Sequence, residues 1–380
     1  MNLELSEEQL LLQKSVREFA ESEVRPLAKE LDETGHFPHD LFKKAAELGL
    51  TGVAFPEYEG GAGFDHLAYT MVIEEISRCC ASTGVILSVQ NSLFCDPIHR
   101  FGTDEQKKKF LLPFTRGEKI GCYALTEPQA GSNAAALQTK AVKKRDKYVI
   151  NGTKAWITNG GVADAAIAYV NTDPEKGEKG ITAIVVEKGT PGFKVGKEEK
   201  KLGVHATACC ELVFTDCEVP ETNRIGKEGE GYKVALSTLD GGRIGIAAQA
   251  TGIAQGAFEA ALTYAQERMA FGHPIAQFQA IQFMLADMAT ELDAARLLVR
   301  KAAWKQDSGS RFSLEAATAK LFASEMATRV THKAIQIHGG YGYSREYPVE
   351  RAYRDARITE IYEGTSEIQR LVIAAWVLKG

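Results

Sequence analysis

The spacing of apolar residues along this chain changes twice. From Ser6 to about residue 112 they recur every three or four positions, as on one face of a helix. Ser6-Glu7-Glu8-Gln9 reads as a capping box with Leu5 and Leu10 placed as a hydrophobic staple, and Leu12, Val16 and Phe19 continue at helical spacing toward Pro26. A second helix is expected over about 38–48, stopped by Gly49. The glycine-rich loop 56–63 lacks the strand, spacing and lysine of a phosphate loop, and reads as a turn into a helix opening at Asp65. Helices over about 66–79, 83–100 and 104–112 follow. From Gly121 the pattern becomes that of strands, over 121–125, 148–150, 154–158, 165–169, 181–186 and 211–214. Asn151-Gly152, lying between two of these, accepts positive φ at both positions and predicts a type I′ hairpin turn. Helical spacing returns from Gly231, over about 231–270, 277–306, 314–338 and 365–378. The order α, β, α predicts an α+β multi-domain chain with an N-terminal α-helical domain over 1–120, a middle β domain over 121–226 and a C-terminal α-helical domain over 227–380.

Composition narrows the class. The 380 residues, 44% apolar and 25% charged, suit an ordinary soluble protein with a substantial core, and no apolar run approaches the roughly 20 residues of a membrane span. The acidic start, Met1 to Glu8, lacks the character of a signal or transit peptide, so a cytoplasmic protein is expected. A net charge of −5 argues against a nucleic-acid partner, and Lys107 to Lys109 and Lys143 to Arg145 read as solvated surface. The seven cysteines form no Cys-x-x-Cys pair and are expected to be reduced thiols; no histidine spacing suggests a metal.

Candidate chemistry centres on Arg354 to Arg370. Tyr362-Glu363-Gly364-Thr365 sets a carboxylate between a ring and a glycine, with Ile358 and Ile361 before it and Ile368, Leu371 and Val372 after it. Burial would raise such a carboxyl toward the range of a base at neutral pH, whereas a solvated position would make it an ordinary helix-end glutamate. Gly364 ends or bends one helix, and Thr365 can start the next. Four other segments stand out. Tyr123 to Asn133 is a strand ending in a loop rich in donors and hydroxyls. Strand alternation puts Trp156 and Thr158 on one face, ring beside hydroxyl. Asp240 and Arg243, three apart on a helix, can pair. Arg268 to Gly272 and Gln336 to Gly342 are helix ends with glycine stops, and no Gly-x-Gly-x-x-Gly fingerprint occurs.

Taken in order, these segments resemble the acyl-CoA dehydrogenases over nearly the whole chain. The run Tyr353 to Ile373 is similar to that family's C-terminal signature, in which the Glu of Tyr-Glu-Gly-Thr takes the α-proton of a fatty acyl-CoA; the match implies Glu363, and not Glu367, as the base. The resemblance implies FAD held by Tyr123, Leu125, Thr126, Ser132, Trp156 and Thr158, with Thr365 at the pyrophosphate and Arg268, Phe271, Gln336 and Gly340 reaching the flavin of a neighbouring subunit. It implies an acyl-CoA bordered by Ser132, Asp240, Arg243, Tyr362 and Gly364. A barrel-like middle domain, a C-terminal four-helix bundle, a homotetramer built as a dimer of dimers, and an electron-transfer flavoprotein as acceptor come with it. Two departures are Asn133, where aspartate is usual, and Leu202 to Thr207, where relatives often carry Arg and Ser. Cys80 to Val85, Leu239 to Ala247 and Ala270 to Gly272 are most like the short-chain, butyryl-type members. Three rivals remain: an acyl-CoA oxidase, which usually carries a further C-terminal domain; a branched-chain dehydrogenase, whose relatives can place the base where Gly242 stands; and a non-catalytic flavoprotein module, which would be expected to have lost Glu363.

Overall fold

The computed structural model describes residues 4–379; Met1 to Leu3 and Gly380 lie outside the described residues. The N-terminal helices are α1 (Glu7–Phe19), α2 (Ala28–Thr34), α3 (His39–Glu47), α4 (His66–Cys79), α5 (Ala81–Ser88), α6 (Asp96–Phe101), α7 (Asp104–Phe110) and α8 (Leu112–Thr115). The expected capping box starts α1: Ser6 Oγ accepts from the Gln9 amide at 3.2 Å and Gln9 Oε1 from the Ser6 amide at 3.0 Å. Asp65 caps α4 through the Ala68 amide at 2.7 Å. The helix expected over 83–100 is three pieces, because a π-helical turn at Val89–Cys95 joins α5 to α6.

The middle of the chain is one eight-stranded sheet of β1 (Gly121–Ala124), β2 (Lys140–Lys144), β3 (Lys147–Ile157), β4 (Ala165–Asn171), β5 (Ile181–Glu187), β6 (Phe193–Glu198), β7 (Cys210–Pro220) and β8 (Arg224–Ile225). Its order is β6-β7-β3-β2-β4-β5-β8, with β1 parallel to β4. In β4 and β5 six consecutive residues are buried, as expected of strands covered on both faces.

The hairpin expected at Asn151-Gly152 is not there. β3 runs straight through these residues, and the turn lies earlier, at Arg145-Asp146, where Lys144 pairs with Lys147. Asn151 and Gly152 instead form a bulge against β7. Asn151 Oδ1 accepts from the Asp216 amide at 2.8 Å, Asp216 takes φ 46°, and Gly152 takes φ 148°. A Cβ at 152 would stand 2.5 Å from Thr139 Oγ1, so glycine is required by space as well as conformation. β2 and β6, mostly exposed and polar, carry too little apolar pattern to stand out in the sequence.

The C-terminal part holds α9 (Gly231–Glu267), a two-stranded ribbon of β9 (Met269–Ala270) and β10 (His273–Pro274), α10 (Gln279–Asp307), α11 (Ser313–His338), α12 (Pro348–Ile358) and α13 (Ser366–Val377). α9 is the central element: it packs on α4 and α5 on one side, on α10, α11 and α12 on another, and touches β5 of the sheet. One apolar cluster therefore runs from α1 through α4 and α9 to α11. Among the described residues no helix is long and apolar enough to cross a membrane, and no group of three or more His, Cys, Asp or Glu could hold a metal ion. All seven cysteines are free and buried; burial pushes their thiols above the ordinary range, which leaves them poor nucleophiles.

Candidate active site

Glu363 lies in the break between α12 and α13. The chain leaves α12, and Glu363 at φ 51° and Gly364 at φ 92° turn it through two left-handed positions. Thr365 then caps α13 by accepting from the Ile368 amide at 3.3 Å. Positive φ at a non-glycine residue is strained, and it persists only where neighbours over-determine it. Here they do. Gln369 Nε2 donates to the carbonyls of both Glu363, at 3.2 Å, and Gly364, at 2.8 Å, and Lys320 Nζ reaches from α11 to the Gly364 carbonyl at 2.7 Å.

The turn aims the carboxylate inward. Glu363 Oε2 is sealed from solvent with no hydrogen-bond partner among the described residues. It rests against α9 where Gly242 leaves room: a Cβ at 242 would stand 2.1 Å from Oε2 and 2.8 Å from Leu93 Cδ2. Burial pushes the Glu363 carboxyl up to about 8, against the opposing pull of Lys320 and Arg243. Glu367, four residues on, is exposed, and hydrogen bonds from its own amide and from Thr365 lower its pKa. The two acids are thus opposite in kind. Around Glu363, Arg243 Nη1 pairs with Asp240 Oδ1 at 2.5 Å, as its helical spacing predicts, and Asp240 Oδ2 accepts from Ser313 Oγ at 2.5 Å. Arg243 Nε is buried without a partner among the described residues. The Tyr362 hydroxyl donates to Gln249 Oε1, and Gln249 Nε2 donates to the Ala81 carbonyl at 2.9 Å.

A second group of expected residues lies on β1, the loop after it and the end of β3. Tyr123 on β1 donates to the Ala235 carbonyl of α9 at 3.3 Å. The loop after β1 is fastened to β3: the Ala155 amide donates to the Thr126 carbonyl at 2.9 Å, and Lys154 Nζ donates to the Leu125 carbonyl at 3.0 Å and to Glu127 at 2.8 Å. Trp156 takes φ 61° within a second bulge of β3, which leaves its indole 57% exposed while Ala155 and Ile157 are buried. Thr158 is partly exposed in the turn just past β3, so the strand alternation expected to pair it with Trp156 stops at this bulge, and Ser132 is exposed on the loop. Among the described residues the hydroxyls of Thr126, Ser132 and Thr158 make no hydrogen bond.

The third group stands apart. Arg268 lies over the Tyr341 ring at 5.6 Å, and both line a cavity of about 570 Å³ with Gly340, Ile337 and His338; none of the residues around Glu363 lines it. Phe271, at φ 51° on the tip of the β9–β10 ribbon, is 94% exposed, and Gln336 is exposed near the end of α11. The residues that sequence reasoning missed are Lys320, Gln369, Gln249 and Lys154. Lys320 had a legible signal: it stands on the same stripe as Ala316, Ala319, Ala323 and Ala327, where a lysine is out of place unless it has a buried partner.

Three models of one family match in chain order: the acyl-CoA dehydrogenase N-terminal domain at 6–118, the middle domain at 122–217 and the C-terminal domain at 229–378. The short-chain specific acyl-CoA dehydrogenase of Clostridium acetobutylicum is 52% identical over the full length of both chains. The structure of butyryl-CoA dehydrogenase from Megasphaera elsdenii superposes with a TM-score of 0.98 at 47% identity, covering all of both chains. A chain in a structure described as the electron transferring flavoprotein of Acidaminococcus fermentans superposes at 0.99 with 49% identity, again over all of both chains. A carboxylate buried at a left-handed turn, the glycine that admits it and full-length likeness agree, and this chain belongs to the acyl-CoA dehydrogenase family.

Proposed function

We propose that this chain is an oxidoreductase acting on CH–CH groups, converting a short-chain acyl-CoA to the trans-2-enoyl-CoA, with Glu363 as the base that removes the α-proton. The observation that carries the reading is the sealed, unpaired Oε2 of Glu363, held near neutrality by burial at the break between two helices. A carboxyl with a pKa about 8 exchanges protons readily near neutral pH, whereas an exposed glutamate is too weak a base to take a carbon-bound proton. The Glu363 amide, in a turn whose Glu363 and Gly364 carbonyls are both held by Gln369 and the latter also by Lys320, is the donor we assign to the thioester oxygen, where it would stabilise charge developing as the proton leaves.

The residues on β1, the loop after it and the end of β3 fit FAD. An exposed Trp156 held by a strained backbone, together with hydroxyls at Thr126, Ser132 and Thr158 that make no hydrogen bond among the described residues, offers a flat face and free donors to a ring system. Tyr123, Leu125, Thr126, Ser132, Trp156, Thr158 and Thr365 would hold the cofactor, and Arg268, Phe271, Gln336 and Gly340 would reach the flavin of a neighbouring subunit. Bound FAD supplies the two-electron acceptor for the hydrogen lost from the β-carbon. We assign Ser132, Asp240, Arg243, Tyr362 and Gly364 to the substrate. We extend the proposal to acyl chains of about four to six carbons, an electron-transfer flavoprotein as acceptor, a homotetramer, and domains over 1–120, 121–226 and 227–380; likeness to a short-chain specific and a butyryl-CoA dehydrogenase supports the chain length, and likeness to a chain in a structure described as an electron transferring flavoprotein supports the acceptor.

Glu363→Gln keeps shape and removes the proton acceptor. Flavin content and acyl-CoA binding should persist while anaerobic flavin reduction by butyryl-CoA slows by about 10²- to 10⁴-fold. Glu367→Gln should lose far less. Fast bleaching of the flavin band in Glu363→Gln would end the assignment.

A further inference from the structure

We propose that Lys320 is a positioning residue for Glu363: from α11 it fixes the left-handed turn that aims the carboxylate and supplies the buried cation against which that carboxylate ionises. The inference rests on Glu363 being the base.

Lys320 is fully buried, on a helix face where its neighbours one turn away are the small residues Ala316, Ala317, Ala323 and Ser324. Burying an ammonium is costly unless it is paired. The only hydrogen bond it makes among the described residues is to the Gly364 carbonyl at 2.7 Å, one peptide beyond Glu363. That bond holds the peptide of the strained turn. With Gln369 on the same carbonyl, it keeps the Glu363 side chain pointed at Gly242 and away from solvent. Without these clamps the αL position at Glu363 has little to support it.

The charge acts with the geometry. The groups facing this pair are Arg243 and Asp240 from α9, Glu360 and Tyr362 from the turn itself, Glu367 from α13, Tyr123 from β1 and Tyr69 from α4. Asp240 is engaged by Arg243 and Ser313, and Glu360 by Arg357 and Thr328. Glu367 is exposed. Lys320 is therefore the cation without a carboxylate in contact, and Glu363 the carboxylate without a partner. Burial pulls the Lys320 ammonium down and pushes the Glu363 carboxyl up, and the charge of each opposes the shift of the other, so the two ionise as one coupled pair in which each charge favours the other.

Two variants of the holoenzyme separate the geometric and electrostatic parts. Lys320→Met removes hydrogen bond and charge; Lys320→Gln keeps a donor for the Gly364 carbonyl and removes the charge. Both should retain flavin. The rising limb of kcat/KM against pH should move to higher pH by about one unit in both, which is about tenfold in rate at pH 7, with a further loss at the alkaline plateau in Lys320→Met alone. Infrared titration gives a second readout: the protonated-carboxyl band assigned to Glu363 by its absence from Glu363→Gln should persist to higher pH in both variants. An unmoved limb with equal loss at every pH, or loss of flavin and helix content in both variants, assigns Lys320 a structural role only and overturns the proposal. If Glu363→Gln itself reduces flavin quickly, the base assignment falls, whatever the Lys320 variants do.

Discussion

A missing side chain decides where the carboxylate can lie. Because a Cβ at 242 would stand 2.1 Å from Glu363 Oε2, α9 and the 363 turn cannot both keep their places if position 242 carries one. Gly242→Ala should therefore retain flavin but lose about 10²-fold in kcat/KM, the scale of an ångström's misplacement, measured by steady-state turnover with butyryl-CoA. A glycine at 242 also leaves no side chain to act as a base at that position of α9, where relatives of the branched-chain alternative can carry theirs. Burial of Glu363 also sets the pH response. A base must be ionised, and burial holds Glu363 near 8, so kcat/KM should rise close to tenfold per unit below that value and level off above it. Stability runs the other way. The folded pKa is raised from 4.5, so the contribution of Glu363 is fully present below about pH 4.5 and lost as pH rises through 8. Glu363→Gln should accordingly raise the melting temperature at pH 9 more than at pH 5.

At the scale of elements, β3 does the work of two strands. Its first half builds the sheet, and its second half, after the Gly152 bulge, brings Trp156 and Thr158 beside the loop that follows β1. The strut between them is Lys154, whose side chain is 0% exposed and whose partner Glu127 is 1% exposed and further accepts from the Gln138 and Thr139 amides at 2.6 and 3.0 Å. Lys154→Met would leave Glu127 buried without its cation. It should cost about 3–5 kcal/mol by urea unfolding and weaken FAD retention, and replacing Glu127 by leucine as well should recover part of the stability. The Asn151-Gly152 pair teaches why local signals mislead here. Its preference for positive φ serves a bulge as readily as a turn, and the choice belongs to β7, which pairs with β3 on both sides of it.

At the scale of the molecule, the expected flavin residues fall into two places. Those near Trp156 and Glu363 are linked through β1 and α9, whereas Phe271 projects into solvent and Arg268 lines a separate cavity. The Phe271 ring, on a left-handed residue, meets only the edge of Phe278 among the described aromatic rings, at 6.1 Å, and stays 94% exposed, which fits a contact completed by another copy of the chain. Phe271→Ala should leave monomer stability unchanged but weaken FAD retention about tenfold, the worth of one aromatic contact. Sedimentation monitored at the flavin band should then find flavin only in the largest species, and flavin bound equally well to dilute monomers would contradict the shared site.

The sequence by itself determined the helices with strong periodicity and caps and the two changes of pattern that mark off the sheet, and through resemblance it singled out Glu363 as the candidate base. These depend on local spacing and on side chains that act on their own backbone. Only the tertiary structure decided the rest. Whether Glu363 is buried or solvated depends on the space left by Gly242, more than a hundred positions away, and on clamps from Lys320 and Gln369; the exposed strands β2 and β6 exist because neighbours offer them hydrogen bonds; and Asn151-Gly152 bulges because β7 continues past it. Burial, and with it the proton affinity of a carboxylate, is a property of what surrounds a residue in space, and a local pattern does not contain it.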